Sequence, residues 1–122
     1  MDFEPSVVNS EWNQILDFLE SQFQKRPADV DSVLFLIGIQ ELGKGFMNFS
    51  KEQKQDLMHI ATCKVLSYSG FYSLEGLDAE GWPHWNLEQA VPQMPLKEQE
   101  ILIKAHIIQY FKSEVFAAEP EE

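Results

Sequence analysis

Val33-Leu34-Phe35-Leu36-Ile37-Gly38-Ile39 is the longest apolar run in the chain, and its reading decides the fold class. By periodicity alone, so short a run suits a buried parallel strand or the middle of a buried helix equally well. A parallel strand needs further buried strands beside it. No second run of this kind exists, so the segment reads as a helix that is apolar all the way round, as a helix surrounded by other elements is. It should extend from about Val30 to Leu42, with Asp29 or Asp31 as its cap. Gly43 and Gly45 supply the exit.

Three more helices follow on either side. Upstream, Trp12, Ile15, Leu16, Leu19 and Phe23 recur at helical spacing, which predicts a helix from Glu11 to Lys25, capped by Ser10 and stopped by Pro27. Downstream, Ser50-Lys51-Glu52-Gln53 has the pattern of a capping box. Behind it, Leu57, Ile60, Ala61, Val65 and Tyr68 share one face of a helix ending near Ser69, with Gly70 beyond its end. Pro95 suits the first turn of a fourth helix, Leu96 to Phe116. Its apolar residues spread over most of the wheel, which calls for two packed neighbours or a subunit interface. Between the third and fourth helices lie 26 residues, Gly70 to Pro95, rich in large apolar side chains. A structureless loop of that length is uncommon in a compact domain. Phe71–Leu74 and Trp82–Trp85 therefore read as arms of a small hairpin around residues 77–81, with Asn86 capping one helical turn over Leu87 to Ala90. The expected fold is all-α: a single compact domain over residues 1–116, with four main helices and an aromatic-rich irregular lobe or small β-hairpin. Residues 117–122 are expected to be an acidic tail.

Composition narrows the function. The 122 residues include 20 Asp plus Glu against nine Lys plus Arg, a formal charge of −11, and 44% are hydrophobic. That apolar content argues against a wholly disordered chain. No run approaches the twenty or so apolar residues of a membrane span. Phosphate recognition needs clustered basic residues, and Arg26 is the single arginine, so no nucleic-acid partner is expected. The acidic start carries no signal-peptide pattern, Asp2 is not the glycine that myristoylation needs, and the lone Cys63 suits a reducing compartment. The cytoplasm is the expected location.

Four places can carry chemistry. Glu52, Asp56, His59 and Cys63 form a polar stripe on the third helix, opposite its core face. Asp56, His59 and Cys63 are the only metal-ligand set the spacing offers. A structural zinc site takes four ligands, so neither a metal nor a cofactor is expected. Glu41, at the end of the apolar helix, would have a raised pKa if buried beside the negative end of the helix dipole. Cys63 as a nucleophile would need His59 as its base, in a mid-helix position that does not favour a thiolate. Neither a nucleophile elbow nor a phosphate-binding glycine loop occurs. The remaining place is Gly81-Trp82-Pro83-His84-Trp85. With Tyr72, its Trp82, His84 and Trp85 can form a recognition surface, or they can close a small core under the loop.

Three segments, Phe35 to Gly43, Asp56 to Ala61 and Gly81 to Trp85, together resemble a group of short uncharacterised helical proteins of Bacteroidota. The resemblance spans residues 2–111. It implies a bacterial cytoplasmic protein and assigns no functional residue.

The leading expectation is a non-enzymatic interaction protein, an adaptor or accessory subunit, that meets a partner with a basic surface or self-associates through the fourth helix. The second is a small-molecule-binding module with a pocket under the Trp82–Trp85 lobe. The third is a metal-dependent enzyme or sensor, and convergence of the polar stripe with His84 or Glu41 would favour it.

Overall fold

A computed structural model describes residues 4–118. The protein is mainly helical, with one two-stranded antiparallel hairpin, so a strictly all-α description gives way to helices plus a ribbon. In order, the elements are α1 (Pro5–Phe23), α2 (Val30–Leu42), α3 (Lys51–Ser67), β1 (Tyr72–Leu77), β2 (Pro83–Leu87) and α4 (Leu96–Tyr110). A π-helical turn, Phe111–Val115, and a 3-10 turn, Phe116–Ala118, follow α4. The described chain divides into two compact units: residues 4–28 with 93–118, and Asp29–Pro92.

In the first unit α1 packs along α4. The helix begins six residues before the predicted start. Pro5 occupies its first turn, where the fixed proline φ suits a helix and the missing N–H is no loss. Ser10 is therefore an interior residue rather than a cap, and Val8 joins Trp12, Ile15 and Leu19 on the buried stripe. The end comes at Gln24 in the left-handed conformation (φ 58°), before Pro27 is reached. Pro95 flanks α4 as its cap rather than entering the first turn. The predicted continuous helix to Phe116 changes form at Phe111. Residues five apart lie roughly 140° apart on an α-helix, but return to one side where the bonds run from i to i+5. The Phe116 amide bonds the Phe111 carbonyl in that way. Both rings then meet Phe18 edge-on, with centroids 6.3 and 5.0 Å away. The expected tail begins inside the 3-10 turn at Ala117, and residues 119–122 lie outside the described residues.

The second unit holds α2, α3 and the ribbon. The helix decision at Val33–Ile39 is borne out, and both ends of α2 match. The Asp29 carboxylate accepts from the Ser32 amide (2.9 Å) and hydroxyl (2.8 Å), which holds its pKa below the ordinary value. Gly43 closes the other end at φ 74°. Gly38 lets α2 and α3 touch through their backbones. A Cβ built there would lie 2.3 Å from the Leu57 carbonyl oxygen, far inside van der Waals contact. The capping box of α3 forms in both directions, Gln53 amide to Ser50 Oγ (3.1 Å) and Ser50 amide to Gln53 Oε1 (2.9 Å). Ile39, Leu42 and Leu57 form the local core, with Phe35, Phe49 and Trp82 packed against it.

The ribbon is longer than predicted and slightly shifted. Tyr72 pairs with Leu87 and Leu74 with Trp85, whereas Gly76 pairs with His84, so Glu75 is the extra residue of a bulge. No helical turn forms over Leu87–Ala90. Leu87 is drawn into β2 opposite Tyr72, and the Glu88 and Gln89 amides bond the Phe71 carbonyl at the ribbon's base.

Candidate functional site

The loop between the strands is organised by one carboxylate. Asp78 Oδ1 accepts from the Glu80 and Trp82 amides, both at 2.9 Å, and Oδ2 lies 3.0 Å from His84 Nε2. Backbone bonds from the Asp78 amide to the Trp82 carbonyl and from the Gly81 amide to the Asp78 carbonyl close the turn. Gly81 adopts φ 87°, a conformation that excludes most other residues. From outside, the Lys44 ammonium donates to the Glu80 carbonyl oxygen. The hydrogen bond from His84, then the Trp82 and Glu80 amides, hold the Asp78 carboxyl below the usual carboxylate range. This carboxylate fixes both the path of the backbone at Trp82 and the orientation of the His84 ring.

Between this loop and α3 lies a cleft of about 470 Å³. Its helix side is Gln53, Asp56, His59 and Ile60. The ribbon side is Asp78, Glu80, Trp82, Pro83, His84 and Trp85. Successive strand residues face opposite sides of a ribbon. Four consecutive residues on one cleft mean that it wraps the end of the hairpin instead of lying on a single face. Trp82 has its other contacts in the core beneath, while His84 and Asp56 are exposed. The Trp85 Nε1 atom is buried and has no hydrogen-bond partner among the described residues.

Part of the sequence-predicted site is brought together here. Trp82, His84 and Trp85 line the cleft, whereas Tyr72 lies at the far end of the ribbon opposite Leu87 and is not part of the lining. Asp56 and His59 arrive from the helical stripe, but Glu52 is not in the lining and Cys63 is fully buried. Placing Cys63 on a polar stripe is thus corrected: a thiol packs as a small apolar group. Burial pushes its pKa up to about 11, which keeps it protonated and unreactive. His59 Nε2 stands 3.5 Å from the sulfur. Among the described residues, no three His, Cys, Asp or Glu side chains come together as ligands for a metal ion. Glu41 is half-buried in the last turn of α2 and does not line the cleft. His106 belongs to the first unit, buried, with Nδ1 2.7 Å from the Leu102 carbonyl.

Reading the chain as a sequence misses Gln53, Asp78 and Glu80 as site residues. The signal for Asp78 is present, because an Asp two and four residues before the turn's amides is the pattern of a carboxylate that caps a loop. No family model matches the chain, and neither a curated protein nor a solved structure matches it significantly.

Proposed function

We propose that this chain is a recognition module that works through the cleft between α3 and the hairpin loop. The observation that supports this reading is the convergence of Asp56 and His59 with Trp82, His84 and Trp85 around one cavity of ligand-binding size. Aromatic rings supply contact area at little rotamer cost, and the polar groups around them fix orientation. The reading joins the interaction-protein and pocket expectations: the acidic chain meets its partner at a cavity, not over a flat face. Convergence of His59 with His84 is also what a metal reading needed, but among the described residues no three ligating groups gather around one point. No helix of the described residues is long and apolar enough to cross a membrane. A cytoplasmic setting is part of the proposal and rests on the lone buried thiol.

The test uses the three indole N–H resonances of the full chain. Trp12 lies buried in the other unit and serves as an internal control. A ligand of the cleft moves the Trp82 and Trp85 signals saturably and leaves Trp12 in place. A broad panel of amines, acids, sugars and peptides that moves none of the three signals would sink the reading.

A further inference from the structure

We infer that the cleft takes an organic cation, an alkylammonium group with an apolar stem, as carried by a free polyamine or by a lysine side chain. The inference rests on the recognition reading above and names its ligand class. Three carboxylates, Asp56, Asp78 and Glu80, line the cavity, and no Lys or Arg does. Asp78 is already spent on two amides and His84. Asp56 and Glu80 supply the remaining negative charge, from the helix side and the loop side in turn. Lys44 touches the loop from outside the lining, where its ammonium is occupied by the Glu80 carbonyl.

Charge alone would not select an organic ligand. Part of the remaining lining does, because Trp82, Trp85, Pro83 and Ile60 add apolar surface to the same cavity as the acids. A metal ion needs several oxygen or nitrogen ligands converging at short distance, and the described side chains offer no such set. An ammonium on a carbon stem needs the opposite arrangement: dispersed carboxylates for long-range attraction, indole faces for the cation and apolar walls for the methylenes. Indole is the strongest of the aromatic side chains in this role. The cavity, about 470 Å³, holds one such group with its stem. An anionic ligand would meet three carboxylates and no Lys or Arg, with the His59 and His84 imidazoles as the lining's other titratable groups, His84 already paired with Asp78. The chain's charge of −11 acts in the same direction, drawing cations toward it at low salt.

The experiment titrates the intact chain with four probes while the indole resonances are followed. N-acetyl-lysine methylamide is the cation, its norleucine counterpart the neutral analogue, its glutamate counterpart the anion, and spermidine the free polyamine. The lysine amide and spermidine should move Trp82 and Trp85 saturably, with Trp12 unmoved. The norleucine amide should bind about tenfold more weakly, and the glutamate amide should leave the signals in place. Asp56→Asn and Glu80→Gln should each weaken the lysine amide about threefold without changing the melting temperature, and added salt should weaken it further. Spermidine binding more than about tenfold tighter than the lysine amide assigns the site to free polyamines, and comparable affinities assign it to lysine side chains. Equal or tighter binding of the norleucine or glutamate amide overturns the cation assignment and leaves the cleft reading standing. No response to any of the four probes also overturns it. If the broader panel is silent as well, the cleft reading falls with it.

Discussion

The α2–α3 pair and the hairpin loop lie in the same unit but are held by different physics. The two helices touch backbone to backbone at Gly38 and Leu57 and bury Ile39, Leu42 and Leu57 almost completely. Each helix also has one of its first-turn amides satisfied by a capping side chain. The loop buries little and is held by hydrogen bonds, those of the Asp78 carboxylate together with two backbone bonds and the Lys44 contact. A close-packed interior resists change of a single methyl group, whereas exposed hydrogen bonds trade with water at small net cost. Rigidity therefore lies under the site, and adaptability lies at its rim. Trp82 joins the two, with part of its surface on the core and part on the cleft.

The hardest test of that contrast is Gly38→Ala. Alanine is the better helix former by about 1 kcal/mol, but its methyl would sit 2.3 Å from a backbone oxygen that cannot rotate away. The helices must separate, and the variant should lose roughly 1–3 kcal/mol or more by denaturant unfolding. A neutral or stabilised variant would mean the helices are not in contact there.

Next in size is the difference between the tryptophans. Trp82→Ala removes a half-buried ring from the Ile39–Leu42–Leu57 core and should cost about 2 kcal/mol, below the range for a fully buried ring. Trp85→Phe keeps an aromatic surface and deletes a buried N–H that has no partner, so its stability should stay within about 1 kcal/mol of the parent. Equal losses in the two variants would erase the distinction between core and rim.

Ser50→Ala should cost about 1 kcal/mol, because it strips the Gln53 amide of its side-chain acceptor while leaving the residue-50 amide able to bond Gln53 Oε1. Thermal unfolding reads the effect.

The smallest effect is local and depends on pH. Asp78 has a folded pKa below its unfolded value of about 3.9. Its contribution is therefore full above that value and disappears as pH falls through the lower, folded pKa. Exchange of the Glu80 and Trp82 amides should accelerate relative to the α3 amides as pH drops below about 4, after correction for intrinsic exchange. Asp78→Asn should abolish that acceleration. Persistence in the variant would assign the loop's order to other groups.

The helices of the second unit were legible because their signals are local. Asp29, Ser50, Gln53 and Gly43 act on amides and carbonyls within a turn of themselves, so their chemistry is written in the sequence. Ser10 misled because a good cap residue is also tolerated inside a helix once Pro5 has opened it. Trp82, His84 and Trp85 were legible as candidates because so dense an aromatic cluster is unusual, while Tyr72 was included on composition and fell outside once the register was set.

By itself the sequence determined the helical class, the bounds of α2, the capping box of α3 and the presence of a hairpin after it. Each depends on residues within a few positions of one another. Tertiary structure alone decided that Cys63 is buried, that α4 gives way to a π-helical turn where Phe111 and Phe116 meet Phe18, and that Asp56 and His59 face Trp82 and His84 across a cleft. Those outcomes join residues far apart along the chain. Packing geometry sets them, as it sets the close approach of α2 to α3 at Gly38 and the break in strand register at Glu75.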